Sequence, residues 1–269
     1  MGAKAERFLH LHQGDHVLVL PNPWDAGSAR LLAHLGFDAL ATTSSGFAAT
    51  LGRRDGGVTR DEAIGHAAVI SAATELPVTA DLENGFGDAP DAVEETVRMA
   101  VDAGLAGCSI EDFTRRPDEP IYPLSRAVER VAAAAEAAHS GSDRLVLTAR
   151  AENHLHGRGD LDDTIVRLQA YQAAGADVLY APGVTASEDI RRLVEAVDRP
   201  VNVLLLPGMP GVVELGKLGV RRVSTGGALA YVAMGALVEA AGHLLEAGSF
   251  DAWPLAGLGN GAARGAFTH

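Results

Sequence analysis

Residues 77–112 read PVTADLENGFGDAPDAVEETVRMAVDAGLAGCSIED, and the architecture of the chain can be worked out from them. The stretch begins with a short apolar run, Pro77–Asp81, continues through a longer amphipathic segment, Ala89–Ala103, and returns to an apolar run at Gly107–Glu111. Apolar runs of this length are typical of parallel strands that are covered on both faces. Gly104, just past the amphipathic segment, supplies the left-handed residue that ends many helices. The stretch therefore predicts a β-strand, an α-helix and a second, parallel β-strand.

The same alternation of a short apolar run and a longer amphipathic one occurs eight times along the chain. The predicted strands are His16–Leu20, Ala39–Thr43, Pro77–Asp81, Gly107–Glu111, Arg144–Arg150, Asp177–Tyr180, Val201–Leu205 and Arg222–Thr225. The predicted helices are Asp25–Leu35, Arg60–Thr74, Ala89–Ala103, Ser125–Ser140, Leu161–Ala173, Ala186–Val197, Val212–Leu218 and Ala228–Ala247. Eight such units favour an α/β fold of the closed (β/α)8 (TIM) barrel type, with a doubly wound open sheet as the alternative. We expect one barrel domain over residues 1–269, in which residues 248–269 form a loosely held C-terminal extension or an oligomer contact.

Composition and charge exclude several classes of protein. The formal net charge is −13 at pH 7, and no basic run is present that could bind phosphates, so we expect no nucleic-acid partner. The N-terminus lacks the apolar core of a signal peptide, and no uninterrupted run of about 18 apolar residues could span a bilayer. We therefore expect no membrane partner and a cytoplasmic location. Cys108 is the only cysteine, which excludes a disulfide, and we interpret it as a small buried hydrophobe.

Carboxylates follow two neighbouring predicted strands at the point where each strand ends. Asp81 ends the third strand and Glu83 follows it, and Glu111 ends the fourth. In a barrel, the C-terminal ends of the strands carry the chemistry. Carboxylates gathered there would repel one another unless a cation lay between them, and oxygen ligands without a His/Cys cluster favour Mg²⁺ or Mn²⁺ over zinc. The alternative is a solvated acidic rim that is paired with an arginine.

Other polar residues at the strand ends indicate where a substrate would bind. Arg150 ends the fifth strand and would pair with a substrate carboxylate or phosphonate, while Asn202 lies on the seventh strand. Neither of the two lysines follows a strand, so Schiff-base chemistry is not expected and a carbanion would be stabilised by the metal. His154 and His156, in the loop after the fifth strand, are either acid/base groups or surface residues.

The motifs at these positions resemble those of the isocitrate lyase/phosphoenolpyruvate mutase superfamily over roughly residues 15–247. The segments that carry the resemblance are PNPWDAGSAR (21–30), LGRRD (51–55), DLENGFG (81–87), IED (110–112) and TAR (148–150). The pair formed by Asp-x-Glu-x-Gly-Phe-Gly and Ile-Glu-Asp is the most specific part, because the two motifs have the family's order and spacing.

The resemblance implies a magnesium ion held by Asp81, Glu83 and Glu111, partly through water. It places a substrate carboxylate near Ser45, Gly46 and Phe47, with Arg150 against the same substrate. Asp55 resembles the family's loop aspartate near the reacting centre. Glu111 and Arg150 are thus expected to serve the chemistry together with Asp55. The resemblance also implies a homotetramer, often with the last helix exchanged between subunits.

The chain departs from the family where the leaving group would bind. Isocitrate and methylisocitrate lyases carry a loop with lysine, cysteine and histidine after the Glu-Asp pair, but residues 113–123 here read FTRRPDEPIYP. The lysine- and asparagine-bearing loop of phosphoenolpyruvate mutase is also absent, and the glutamate that methylisocitrate lyases carry after the sixth strand is replaced by the Ala181–Gly183 region. We expect Arg150 to bind the invariant end of the substrate, and the loop at 113–123 to decide which substrate is used.

The leading hypothesis is a Mg²⁺-dependent lyase that cleaves a C–C bond adjacent to the enolate of a small 2-oxo acid. Its substrate would be a 2-methylisocitrate- or oxaloacetate-like acid, that is, a 2-oxo acid or its aldol-type adduct. Alternatives on the same half-site are a mutase or hydrolase that acts on the P–C bond of phosphonopyruvate, and an oxaloacetate hydrolase or decarboxylase. A catalytically silent barrel that binds a metabolite is the alternative from another class.

Overall fold

The computed structural model describes residues 2–14, 16–140 and 144–267. The strands in these ranges are β1 (Leu18–Leu20), β2 (Leu40–Ala41), β3 (Val78–Asp81), β4 (Gly107–Glu111), β5 (Val146–Arg150), β6 (Val178–Tyr180), β7 (Val201–Leu204) and β8 (Arg222–Ser224). The helices are α1 (Ala3–Leu11), α2 (Ala26–His34), α3 (Ser44–Thr50), α4 (Arg60–Ala72), α5 (Pro90–Asp102), α6 (Leu124–His139), α7 (Leu161–Ala173), α8 (Ser187–Glu195), α9 (Val212–Lys217), α10 (Ala228–Ala247) and α11 (Trp253–Ala266).

The strands form one parallel sheet that nearly closes on itself. Their order is β1-β8-β7-β6-β5-β4-β3-β2, and every pair in that order is parallel. The two end strands meet where the amide of Ala41 donates to the carbonyl of Pro21 at 3.1 Å. The predicted (β/α)8 barrel is therefore confirmed, and the open-sheet alternative is wrong.

All eight predicted strands and all eight predicted helices are present, with ends that differ by two residues at most. Among the strands, most of the differences lie at the first residues of a run, which precede the first residue of the sheet ladder. Three helices were not expected from the sequence: α1, α3 and α11. α3 is a short helix that starts directly after β2, and the hydroxyl of Thr43 caps it by accepting from the amide of Gly46 at 3.2 Å.

Helix α1 closes the bottom of the barrel, opposite the C-terminal ends of the strands. Phe8 is fully buried and packs with Leu18, Val146 and Val178 in a small apolar cluster. A Cβ atom at Gly107 would stand 2.9 Å from the Phe8 ring and 2.8 Å from the carbonyl of Val146, so β4 must begin with glycine for α1 to fit. The floor of the barrel is therefore sealed by protein, and a ligand must enter from the opposite end.

Residues 248–269, predicted to be a loosely held extension, contain helix α11, which contacts α2. Gly265 faces α2 closely, since a Cβ atom there would lie 2.9 Å from Nε2 of His34. None of the described residues of α11 is buried. Whether this segment contacts another subunit, as the sequence suggested, stays a prediction.

Helix α10 exposes apolar side chains along most of its length. Val232, Leu237, Val238 and Leu245 are between 69% and 87% exposed. By length and composition alone, α10 could cross a membrane. The same composition also fits a helix that another subunit covers, and a single such helix is weak evidence for a membrane span.

Candidate active site

Two connected cavities open at the C-terminal ends of the strands. The deep cavity has a volume of about 210 Å³ and reaches into the barrel, and the outer cavity of about 430 Å³ lies beneath the loops. Four residues line both cavities: Ser44, Asp55, Arg150 and Leu155. The deep cavity is also lined by Asn22, Ser45, Thr79, Asp81, Ser109, Tyr180, Asn202, Arg222 and Ser224, and the outer one by Glu83, Glu111, Phe113, Arg115, Glu152 and His156.

Three carboxylates surround Arg150 where the two cavities meet. Its nitrogens lie 3.0 Å from Asp81, 3.2 Å from Glu111 and 2.7 Å from Glu152. Glu111 and Arg150 are partners in the ladder between β4 and β5, which fixes their side chains on the same face of the sheet. Burial alone would lower the pKa of Arg150, but the charges of the carboxylates raise it well above its usual value.

Glu111 is the carboxylate whose proton affinity the site changes most clearly. Burial raises its pKa well above the ordinary value, against the opposing charge of Arg150. The charges of Glu152, Asp81 and Asp55 add to this increase. The pKa of Glu152 is also raised, mainly by burial. Both carboxyl groups are therefore easier to protonate than an exposed glutamate, chiefly because they are buried and in part because other carboxylates lie close by.

Glu83 is held in an unusual conformation beside this cluster. Its backbone has φ of 49°, in the left-handed region that few residues other than glycine adopt, and its amide donates to Asp81 at 3.2 Å. One carboxylate oxygen pairs with Arg115, whereas the other, Oε1, is buried and finds no hydrogen-bond partner among the described residues. A buried carboxylate oxygen without a partner is costly, so this atom calls for a ligand that the protein does not itself provide.

A divalent cation fits the chemistry of these side chains but not their present arrangement. No three His, Cys, Asp or Glu side chains in the described part of the chain are grouped so that they could hold a metal ion as they stand. The expected cage of Asp81, Glu83 and Glu111 is therefore not preformed, because Arg150 and Arg115 occupy the space that their carboxylates face. Together with Glu152, the cluster has four carboxylates and two guanidinium groups, which leaves an excess of two negative charges when all are ionised.

The residues predicted to bind a substrate carboxylate are only partly brought to the cavity. Ser45 lines the deep cavity. The amides of Gly46 and Phe47 donate within α3, to the hydroxyl and the carbonyl of Thr43. The ring of Phe47 stacks on His66 at 3.8 Å and borders a side pocket of about 10 Å³ next to Asp81. Of this predicted group, only Ser45 is therefore on the cavity wall.

Asp55 and the loop at residues 113–123 close the outer cavity from opposite sides. Asp55, which was predicted to lie near the reacting centre, lines both cavities. Arg115 spans the opening and donates to the carbonyl of Gly56 at 3.2 Å. Arg116 points elsewhere and pairs with Asp88 at 2.8 Å. The two neighbouring arginines of this loop thus have different partners, Arg115 at the opening of the cavity and Arg116 outside it.

Glu152 is a site residue that was not predicted, and His156, for which an acid/base role and a surface position were both considered, lies beside it in the outer cavity. Glu152 is buried, and the Nε2 atom of His156 lies 3.9 Å from its carboxylate. The His156 ring stacks on Phe113 of the loop at 3.7 Å, and burial lowers its pKa. The available signal was the position of Glu152 two residues after Arg150 at a strand end. The choice between His154 and His156 depended on the conformation of the loop, which brings His156 to Glu152.

Asp112 positions this part of the site from behind. It is buried and accepts from the amide of Glu152 at 2.8 Å, from the hydroxyl of Tyr171 at 2.5 Å and from Arg167 at 3.2 Å. Its side chain therefore fixes the backbone that carries Glu152, although it lines neither cavity. Asn202, predicted to bind substrate, does line the deep cavity and donates to Ser224 at 3.0 Å.

Comparison with known proteins agrees with this fold. The sequence profile of the phosphoenolpyruvate phosphomutase family matches residues 8–245. A Burkholderia cenocepacia J2315 structure, provisionally described as a lyase/mutase, is 54% identical, with a TM-score of 0.90 and coverage of 92% of this chain and 90% of the other. The structure of a 2,3-dimethylmalate lyase is 30% identical, with a TM-score of 0.83 and coverage of 93% and 90%. The oxaloacetate decarboxylase of Pseudomonas putida (strain GB-1) is 31% identical over 80% of this chain and 76% of its own.

Proposed function

The chain belongs to the phosphoenolpyruvate phosphomutase family, and from this premise we propose that it is a divalent-cation-dependent lyase. Its reaction would cleave a C–C bond adjacent to the 2-oxo group of a small acid, or of the aldol-type adduct of such an acid. Two of the similar proteins, the 2,3-dimethylmalate lyase and the oxaloacetate decarboxylase, are named for reactions that release a carbon fragment. Their names favour C–C cleavage over P–C chemistry.

The observation that carries the proposal is the excess of carboxylates around Arg150, together with the partnerless buried oxygen of Glu83. Oxygen donors without sulfur or a histidine pair favour Mg²⁺, with Mn²⁺ as a possible substitute. Asp81, Glu83 and Glu111 would hold the cation, in part through water. When bound, the cation would polarise the 2-oxo oxygen of the substrate and stabilise negative charge that develops there.

The residues of the chain itself would bind and orient the substrate. Arg150 faces both cavities and can form two parallel hydrogen bonds with a carboxylate once one of its present partners turns away. Ser45 and Asn202 offer further donors on the wall of the deep cavity. Asp55 lies at the mouth, where it can restrict access of water to the reacting atoms.

We assign proton transfer on the leaving-group side to His156, with Glu152 as the group that orients it. The family's cysteine loop is absent here, and His156 is the histidine that lines the outer cavity among the described residues. Because burial lowers its pKa, the ring is neutral at neutral pH and can accept a proton from a substrate hydroxyl. The stack on Phe113 links the ring to the loop that closes the cavity.

A screen of substrates tests the function and distinguishes its alternatives. The protein is incubated with Mg²⁺ and, separately, oxaloacetate, 2-methylisocitrate, 2,3-dimethylmalate or phosphonopyruvate, and the products are identified by mass spectrometry. We expect C–C cleavage of at least one carbon acid. Turnover of phosphonopyruvate alone would favour the mutase or hydrolase, and release of CO₂ from oxaloacetate the decarboxylase. No turnover of any of them by folded protein would favour the silent metabolite-binding barrel.

We further propose that the protein works as a homotetramer in the cytoplasm. The exposed apolar residues of α10, described above, form a surface that another subunit would cover. A neighbouring subunit is a better match for it than a bilayer, because α10 follows the last strand of the barrel and starts beside the site, at Gly227.

A further inference from the structure

The floor of the deep cavity carries a buried positive charge that the proposed mechanism does not use. Arg222 lies on β8, where Arg222 and Ser224 face the barrel interior while Val223 packs in the core between sheet and helices. Only 4% of Arg222 is exposed, and its side chain contributes to the cavity wall. Arg222 is therefore largely shielded from bulk water, but a ligand that occupies the cavity can contact it.

Every close partner of Arg222 is a neutral group. Its Nε donates to Asn202 at 2.9 Å, and one terminal nitrogen donates to Thr148 at 3.0 Å. The other lies 3.2 Å from Nε2 of His12. No ion pair among the described residues includes Arg222, although the other arginine of this cavity, Arg150, has three carboxylate partners.

His12 cannot take the place of a counterion. Its Nδ1 lies 2.7 Å from the carbonyl of Phe8, which can only accept, so Nδ1 carries the proton and Nε2 accepts from Arg222. Burial and the charge of Arg222 lower the pKa of His12 to about 3, which keeps the ring neutral. Burial raises the pKa of Tyr180, another residue of the cavity wall, to about 12, so its phenol is also neutral.

A buried cation with only neutral partners is unfavourable unless an anion accompanies it. Burial, together with the charge of Arg150, lowers the pKa of Arg222 to about 9, so the group remains charged at neutral pH. The three contacts above use three of its five N–H groups, and each terminal nitrogen has a second N–H to offer.

We propose that Arg222 and Asn202 form an anion subsite at the floor of the deep cavity, which receives a carboxylate group of a small acid. The cavity volume of about 210 Å³ lies below the range of about 300–1,000 Å³ that is typical of pockets for larger ligands, so it suits a small acid rather than a nucleotide. Without a bound cation, the excess negative charge of the acidic cluster at the cavity mouth repels a carboxylate, whereas Arg222 attracts it, so the anionic group is directed inward. The inference rests on the proposed function for the nature of the acid, but not for the subsite itself.

Binding of malonate to protein stripped of metal on a chelating resin tests the subsite without turnover. Isothermal titration calorimetry compares the full-length wild type with Arg222→Met and with Arg221→Met, a control whose half-buried arginine lines neither cavity. We expect Arg221→Met to match the wild type within about threefold, and Arg222→Met to bind about tenfold more weakly or worse. Equal binding by Arg222→Met would overturn the subsite.

A second measurement on the wild type removes any dependence on how the variant folds. Crystals soaked in bromide are expected to show an anomalous peak within about 4 Å of the Arg222 guanidinium, the range of a direct ion pair. The absence of a peak there, in crystals whose cavity is open to solvent, would also overturn the proposal. Neither readout depends on activity, so a failure of the subsite is distinguishable from a failure of the proposed lyase function.

Discussion

At the scale of single residues, the site is governed by Glu111, a buried carboxyl group that has both an arginine partner and acidic neighbours. Burial and the nearby carboxylates raise its pKa. A cation that binds this oxygen must displace a proton wherever the group is protonated. Its shifted pKa therefore couples cation binding to pH.

The affinity for Mn²⁺ should increase with pH until the pKa of Glu111 is passed, and then level off. The sign follows from the direction of the shift, because a raised pKa keeps the carboxyl protonated at pH values where an ordinary glutamate is ionised. Calorimetric titrations between pH 5 and 8, in two buffers of different ionisation enthalpy, measure the proton release. Glu111→Gln should abolish the release, and Glu129→Gln, on the exposed face of α6, should preserve it. Proton release that persists in Glu111→Gln would assign it to another group.

Cys108 illustrates a residue whose chemistry is suppressed by its position. It lies in the middle of β4 within the core, fully buried, and burial raises the pKa of its thiol to about 12. A thiol of this kind cannot supply the proton that the family's cysteine loop would provide.

Cys108→Ala should therefore keep kcat within about threefold of the wild type, with only a loss of stability. Cys108→Ser should unfold more easily by about 1–3 kcal/mol, since it buries a hydroxyl in an apolar environment. Urea denaturation and steady-state kinetics on both variants are the measurements. A thousand-fold lower kcat in a folded Cys108→Ala protein would refute this view of the residue.

At the scale of elements, the sequence predicted all eight strands and eight of the helices. The eight strands and their helices followed from periodicity, because the sheet is covered on both faces and its strands are continuous apolar runs. Helices α1 and α3 were not predicted. Helix α1 is stabilised by its packing against the floor of the barrel, and α3 begins at a capping hydrogen bond within the loop after β2. A pattern read along the chain contains neither kind of information.

The site was predicted in composition but not in arrangement. Asp55, Asp81, Glu83, Glu111, Arg150, Ser45 and Asn202 all lie on the cavity walls, because strand ends meet at one end of a barrel. The pairing of Arg150 with three carboxylates, and the contact between Glu83 and Arg115, depend on side-chain directions that spacing does not determine. Arg222 was overlooked because only the C-terminal ends of the strands were searched for polar residues, and Arg222 is the first residue of β8.

The loop at residues 113–123 makes the sharpest prediction at this scale. Arg115 lines the outer cavity, whereas Arg116 is bound to Asp88 outside it. Arg115→Ala should change the ratio of kcat/KM between two substrates by about tenfold, the effect of one charge-assisted contact. Arg116→Ala is the matched control and should leave that ratio unchanged. If Arg115→Ala reduced kcat/KM for both substrates by the same factor, the loop would be a lid without selectivity.

At the scale of the whole molecule, helix α10 leaves large apolar side chains uncovered. Val238 and Leu245 on α10 are 72% and 87% exposed, and such side chains are costly to leave in water when they form a continuous surface. The proposed tetramer would bury these side chains. The contact between subunits would then include α10, the helix that begins beside the active site.

Light scattering should give a mass near 110 kDa, about four times the 27.8 kDa of one chain. Leu245→Glu should dissociate the assembly, because it places a charge in the apolar contact. Val166→Glu, at a half-exposed apolar position on α7, is the matched control and should leave the mass unchanged. A wild-type mass of a single chain at micromolar concentration would count against the tetramer.

The measurement that tests the proposed function most directly is turnover before and after removal of divalent cations. The enzyme is assayed on its best carbon-acid substrate after exhaustive chelation, and again after Mg²⁺ or Mn²⁺ is restored, with Asp81→Asn as the paired variant. The carboxylate cluster predicts that chelation abolishes turnover, that either cation restores it, and that folded Asp81→Asn stays nearly inactive under all conditions. Full activity in the chelated wild type would contradict the proposed cation-dependent chemistry.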